Sequence, residues 1–134
     1  MRIAILLLAA LLGFSRGAFA DDISAAQEVI RSQEQAFSRD DANAAYSYAA
    51  PAIREIFPEA RIFMFMVQHS YQPVYRHKSF EFGEARADDG RIAQRVRIID
   101  ADGRPWDALC TLERQSDGSF KIIGCMLLKA GESV

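Results

Sequence analysis

The sequence predicts an α+β fold in which N-terminal helices pack on a curved four-stranded antiparallel sheet. Two features of the 134 residues carry this expectation. Three Asp-Gly pairs, Asp89-Gly90, Asp102-Gly103 and Asp117-Gly118, separate runs of alternating apolar residues between Val74 and Leu128. Asp-Gly is a strong short-range hairpin signal because glycine accepts a positive φ without steric cost. Ahead of these turns, apolar residues recur at steps of three and four, the helical period. The back half is therefore a meander and the front half its cover.

The first twenty residues read as a secretory signal peptide. Arg2 supplies the positive start, Ile3 to Leu12 an uncharged apolar run and Ala18-Phe19-Ala20 a small-x-small site, so cleavage is expected between Ala20 and Asp21. The run is too short to cross a bilayer, which takes about 20 apolar residues. No cysteine near the cut offers a lipid attachment point. Residues 21–134 then form a single domain, periplasmic or secreted, with no membrane span after processing. Loss of Arg2 and Arg16 leaves 14 basic residues against 18 acidic ones, a formal charge of −4. Weak acidity without a basic run gives nucleic acid and anionic lipid no electrostatic footprint.

The mature start reads as helix. Ser24-Ala25-Ala26-Gln27 has capping-box spacing. Ile23, Ala26, Ile30, Gln33 and Phe37 follow at steps of three and four, with Gln and Glu on the other side. Arg39-Asp40-Asp41 breaks the pattern, and Asp40 or Asp41 can cap a second, Ala-rich helix through Tyr46 and Tyr48 to Ala49. Pro51 ends that helix, because the residue before a proline is driven out of the α region. It also fits the first turn of a short helical piece to Phe57. Pro58 repeats the device for a further helix to about His69. Ile62 to Val67 is an unbroken apolar run that periodicity alone cannot assign. The proline start, Glu59 beside the positive end of the dipole, two methionines and a length of about 12 residues select helix over buried strand.

Sheet register follows from gathering apolar residues on one face. In the first hairpin a two-residue turn would put Phe80 and Phe82 on the side of Arg95 and Arg97. A three-residue turn, Asp88-Asp89-Gly90, instead sets Phe82 against Val96 and Phe80 against Ile98, and is expected. By the same test the last hairpin turns on Ser116-Asp117-Gly118. It gathers Trp106, Ala108, Cys110 and Leu112 with Phe120, Ile122, Met126 and Leu128. Asp107, Thr111, Glu113 and Lys121 go to the other side, with Leu109, Ile123 and Leu127. Cys110 then faces the apolar side and Cys125 the opposite one. The two are expected to stay unbonded, although an exported chain invites a disulfide and a two-residue turn would set them face to face. There is no C-x-x-C and no metal-ligand spacing, so neither a metal nor another cofactor is expected.

Helices followed by a long antiparallel meander resemble the nuclear transport factor 2-like fold, a cystatin-like cone in which helices close over a curved sheet. More narrowly, the runs Gln35-Ala36-Phe37, Ala44-Ala45-Tyr46-Ser47-Tyr48-Ala49-Ala50-Pro51, Phe57-Pro58, Tyr71-Gln72-Pro73-Val74-Tyr75 and Asp117-Gly118-Ser119-Phe120 with Gly124-Cys125 carry a second likeness. They are similar to a family of short exported bacterial proteins catalogued as a domain of unknown function. The resemblance covers nearly the whole mature chain, and the family brings no established activity or catalytic residues. The cone implies a pocket at its open end. Tyr46, His69, Tyr71, Tyr75, Gln94 and Trp106 are the residues placed to line its mouth. Each also has a plain place at the rim of the core, since Tyr and Trp bury an apolar body and leave a polar tip in water.

Other chemistry-bearing residues read as structural. His77, between Arg76 and Lys78, is expected to be a solvated strand residue, and His69 to interact with a helix C-terminal dipole. Asp107 falls on the outer face. Asp100-Ala101-Asp102-Gly103 lacks the later ligands of a calcium loop and reads as a turn. Arg91, Arg95 and Arg97 form a basic stripe on the outer face, which Glu81 and nearby Asp residues balance. No carboxylate pair, Ser/His/Asp arrangement or phosphate loop is present. The expectation is a non-catalytic module that binds a small apolar ligand, or pairs with a second copy as a homodimer or with an envelope protein. The alternative is a small pocket enzyme with acid-base chemistry of the isomerase or dehydratase kind.

Overall fold

The computed structural model describes residues 15–130, so the apolar run of the expected signal peptide lies outside the described residues. Helix α1, Ser15–Ser38, runs through the expected cleavage point and buries Ala26, Ile30, Gln33 and Phe37, the stripe read from the sequence. Asp40 stops it. Its φ of 56° puts it in the left-handed region, and the amides of Asp40 and Asp41 donate back to the carbonyls of Phe37 and Ala36 at 3.1 and 2.9 Å. That is a Schellman closure with aspartate where glycine is usual. Asp41 then starts helix α2, Ala42–Ser47, its carboxylate accepting from the Ala44 amide at 3.0 Å.

Helices α3, Pro51–Ile56, and α4, Ala60–Ser70, follow. Pro51 sits in the first turn of α3 as expected, whereas α4 begins two residues beyond Pro58. The apolar run is helical: Phe63, Met64 and Val67 are buried, while Ile62 and Phe65 face solvent. A short helix α5, Gln72–Tyr75, was not foreseen, and it delays the meander, expected from Val74, to His77.

Strands β1, His77–Asp88, β2, Arg91–Asp100, β3, Pro105–Arg114, and β4, Phe120–Lys129, form one antiparallel sheet in the order β1-β2-β3-β4. Its inner face buries Ile92, Val96, Ile98, Ala108, Leu112 and Ile122 against Ala26 and Ile30 of α1. A second cluster joins Ala36 and Phe37 of α1 to Ala45, Phe63, Met64 and Val67. The chain between α2 and α3 covers part of the β4 edge: Ile122 donates to the Tyr48 carbonyl at 2.9 Å and accepts from the Ala50 amide at 2.8 Å.

Both outer hairpins carry a bulge, and the bulges correct the expected registers. In the first, Phe80 pairs with Ile98 and Phe82 with Val96 as read, but Asp88 pairs with Arg91, so the turn is Asp89-Gly90 alone. Asp89 and Gly90 have φ of 34° and 81°, as a two-residue hairpin turn of this twist requires. The extra residue is taken up at Gly83-Glu84, which together face Arg95. In the last hairpin the turn is Ser116-Asp117-Gly118, with Leu112 opposite Ile122 as expected. Beyond it Ile123 is extra, and the pairing advances by one: Thr111 meets Gly124 and Cys110 meets Cys125. Leu127 therefore opposes Ala108 and packs on the core, while Met126 opposes Leu109 and is 51% exposed. The expected sides of Cys125, Met126, Leu127 and Leu128 are reversed.

The same step overturns the expectation of free cysteines. Cys110 and Cys125 are disulfide-bonded, their Cα atoms 4.1 Å apart. A cross-link closing a loop of this length contributes about 3 kcal/mol by restricting the unfolded chain. Outside, charges alternate across the strands: Glu81, Arg97 and Asp107 lie side by side in one row, and Asp88, Arg91, Glu113 and Lys121 in another. Arg91 and Arg97 of the basic stripe are thus flanked by acid on both sides, while Arg95 lies opposite Leu109 and 3.9 Å from the Asp107 carboxylate.

Candidate functional site: an apolar cleft over the bulged edge of the sheet

A cleft of about 180 Å³ opens where the helices meet the edge of β4. Gln33 and Phe37 come from α1, Ile53 from α3, Phe63, Met66 and Val67 from α4, Val74 from α5 and Ile122 to Cys125 from β4, with Phe57 and Tyr71 between elements. The lining is apolar except for Gln33 and Tyr71, and both have partners. The Gln33 amide donates to the Ala45 carbonyl at 3.1 Å, and the Tyr71 hydroxyl donates to the Cys125 carbonyl at 3.0 Å. The second bond depends on the bulge. In a regular strand the carbonyls of Ile122 and Cys125 would point to opposite edges; with Ile123 looped out both point outward, one to Ala50 and the other to Tyr71.

A much smaller space of about 10 Å³ adjoins the cleft and is lined by Glu34 and both cysteines among others. The Glu34 carboxylate is held by Arg31 at 2.7 and 3.1 Å and lies 3.8 Å from His77 Nε2. His77 is thus not the solvated residue expected: its side chain is 15% exposed, its ring centroid is 5.0 Å from that of Phe80, and its Nδ1 donates to the Pro73 carbonyl at 3.0 Å.

Of the six residues read as lining a mouth, Tyr71 lines the cleft and the others stand elsewhere. Tyr46 packs on Phe63 and donates to the Phe57 carbonyl at 2.6 Å, which braces the cleft from behind. His69 stacks on Phe65 on the exposed side of α4, and its Nδ1 donates to the Phe65 carbonyl at 2.8 Å, in the last turn where a cationic group is favoured. Tyr75 donates to Asp40, which Arg76 also contacts at 3.0 Å. Those two partners, Tyr75 first, hold the Asp40 carboxyl below the usual carboxylate range. Trp106 donates from Nε1 to Asp100 at 2.9 Å, and with the Arg104 and Asp102 amides holds that carboxyl low. This is the turn chemistry expected of Asp100-Ala101-Asp102-Gly103, and among the described residues no cluster suits a metal ion.

Gln94 has the most specific structural task. It is wholly buried on β2 behind the first bulge, and its amide donates to the Gly83 carbonyl at 3.1 Å and to its neighbour Arg95 at 2.7 Å. Its carbonyl accepts from Gln27 of α1 at 3.0 Å. The sequence signs of the two bulges were glycines inside strands, Gly83 and Gly124, a usual mark of a bulge. The first marks the site Gln94 fills and the second the floor of the cleft.

No described helix is long and apolar enough to cross a membrane. Neither curated proteins nor solved structures include a match to this chain. The model of one family, described as a domain of unknown function (DUF4864), matches residues 20–133, and the chain belongs to that family.

Proposed function

We propose that the protein is an exported periplasmic module, a cone of the nuclear transport factor 2-like kind, that holds a small apolar ligand and does no chemistry on it. The observation that carries this reading is the cleft of about 180 Å³, whose two polar groups are already bonded to backbone. A cavity of about 150 Å³ lined by aliphatic and aromatic side chains is enough to take benzene. The cleft suits an aromatic ring or a short run of an alkyl chain. Export is supported by the match beginning at residue 20, beside the expected cleavage point, and by a disulfide, which persists in oxidising compartments.

Acid-base catalysis is the weaker reading. Tyr71 is the titratable group in the cleft lining, and its hydroxyl proton is committed to the Cys125 carbonyl. Glu34 lies behind the cleft, tied to Arg31. A homodimer or an envelope partner has its own support: Leu109, Met126 and Leu128 lie on the outer face beside the alternating charges, where sheet could meet sheet.

The test is titration of the isotopically labelled mature chain with indole and with decanoate, followed by NMR. Binding at the cleft shifts the resonances of Val67, Tyr71, Ile123 and Gly124, and Val67→Phe weakens it at least tenfold while leaving the fold intact. Shifts confined to Leu109 and Met126, or none with either probe, would refute the cleft reading.

A further inference from the structure

We infer that β4 has two registers and that the Cys110–Cys125 disulfide selects between them, so that the redox state of this pair sets the shape of the cleft. The effect on binding rests on the proposed ligand cleft; the register change does not.

The sequence of β4 after Ile122 supports two alternations. In the observed one Ile123 is looped out, and Cys125 and Leu127 face inward while Met126 and Leu128 face outward. Without the bulge the strand continues the pairing set by the Ser116-Asp117-Gly118 turn and by Leu112 opposite Ile122. Gly124 then comes opposite Cys110, Met126 opposite Ala108 and Leu128 opposite Trp106. That arrangement buries two large side chains where the observed one buries Leu127 and Cys125. It also needs no unpaired residue, and it leaves Met126 no longer exposed. The straight strand exposes Leu127 in exchange, so the apolar pattern is close to balanced and ladder pairing favours the straight strand; the cross-link is what the straight strand cannot have. Cys125 would lie on the outer face and Cys110 on the inner one.

The cleft is built from the elements that would move. Ile123, Gly124 and Cys125 line it, and the Tyr71 hydroxyl is anchored on the Cys125 carbonyl. Straightening the strand turns that carbonyl toward β3, frees the Tyr71 hydroxyl and draws Ile123 back into the ladder. Cys125 is also the more accessible sulfur, since Cys110 is 4% exposed and Cys125 is only partly buried. The reductant is a dithiol. One of its thiolates attacks Cys125 Sγ, the disulfide breaks and Cys110 leaves as a thiolate. The second thiol of the reductant then displaces Cys125, so that two electrons pass, both cysteines end as thiols after protonation and the reductant ends as a disulfide.

The experiment reads cross-strand Hα–Hα contacts in the labelled mature chain before and after dithiothreitol, and in the Cys110→Ala, Cys125→Ala variant. In the oxidised chain Ala108 contacts Leu127. In the reduced chain and the variant it contacts Met126, and affinity for indole falls at least tenfold. Deletion of Ile123 keeps Ala108 against Leu127 whatever the redox state, which separates register from loss of the cross-link. Retention of the Ala108–Leu127 contact on reduction, or loss of the folded sheet, overturns the inference. A register change in a chain that binds indole in neither state supports it and counts instead against the ligand reading.

Discussion

The two outer hairpins of the sheet face the same problem and meet it differently. Each carries a bulge within the ladder, Gly83-Glu84 against Arg95 in the first, which also slips at Lys78 near the start of β1, and Ile123 in the last. The first bulge is closed into the core by Gln94, whose amide serves the displaced backbone and whose carbonyl is tied to α1. The second is pinned by a disulfide and lies open to the cleft. A bulge that only bends a strand can be plugged by a fixed polar side chain. A bulge that forms the floor of an open cleft is met by one hydroxyl, that of Tyr71 on the Cys125 carbonyl, and is held covalently.

That contrast can be broken from either side. Gln94→Ala is expected to have the largest effect, about 4 kcal/mol in urea unfolding, because it leaves the Gly83 carbonyl and the Gln27 amide unpaired in addition to opening a cavity. The Cys110→Ala, Cys125→Ala variant should lose up to about 3 kcal/mol by the same measurement, through the unfolded state rather than through a buried polar group. Asp41→Ala, which touches neither bulge, removes the cap of α2 and should cost about 1 kcal/mol. If Gln94→Ala proved as mild as the cap variant, the plug would be unnecessary and the comparison would fail.

The smallest effect is on pH dependence, and it separates turns from bulges. Asp40, Asp100 and Asp117 are held below the ordinary carboxylate range, chiefly by Tyr75, Trp106 and Ser119 respectively. A carboxyl lowered in the folded state stabilises the fold above its unfolded value, and that contribution is lost as pH falls through the folded one. Unfolding midpoints should therefore drop as pH falls below about 4. Asp100→Asn should flatten that drop, and Gln94→Ala should leave its shape unchanged.

The sequence made legible whatever alternation and turn chemistry control. The start of α2 after Asp40 or Asp41, the start of α3 at Pro51, the α+β order and the inner placement of Phe80, Phe82, Val96 and Ile98 followed from local rules, whereas α2 ends at Ser47 and not at the expected Ala49. What it hid was the point at which a strand changes register. The alternation near the last turn and the alternation near Lys129 are each regular, and only the single residue Ile123 joins them out of phase. Reading the hairpin as one piece put Cys125 on the wrong face. Gly124, next to the slip, was the available sign. The cleft was hidden for the same reason: its floor is the bulge, and its walls, Phe37, Ile53, Phe63 and Val67, look in sequence like any core residues. Tyr71, one of the six residues expected at the mouth, lines the cleft from the junction of α4 and α5.

The central claim is that Ile123 loops out, and so brings the cysteines together and builds the floor of the cleft. Intact mass spectrometry of the mature chain, purified from an oxidising compartment without reductant, tests it most directly. The account predicts a mass about 2 Da below that of the reduced chain, with the Cys110 and Cys125 peptides joined after proteolysis. A chain at the full reduced mass, its two cysteines free to react with a thiol reagent, would contradict it.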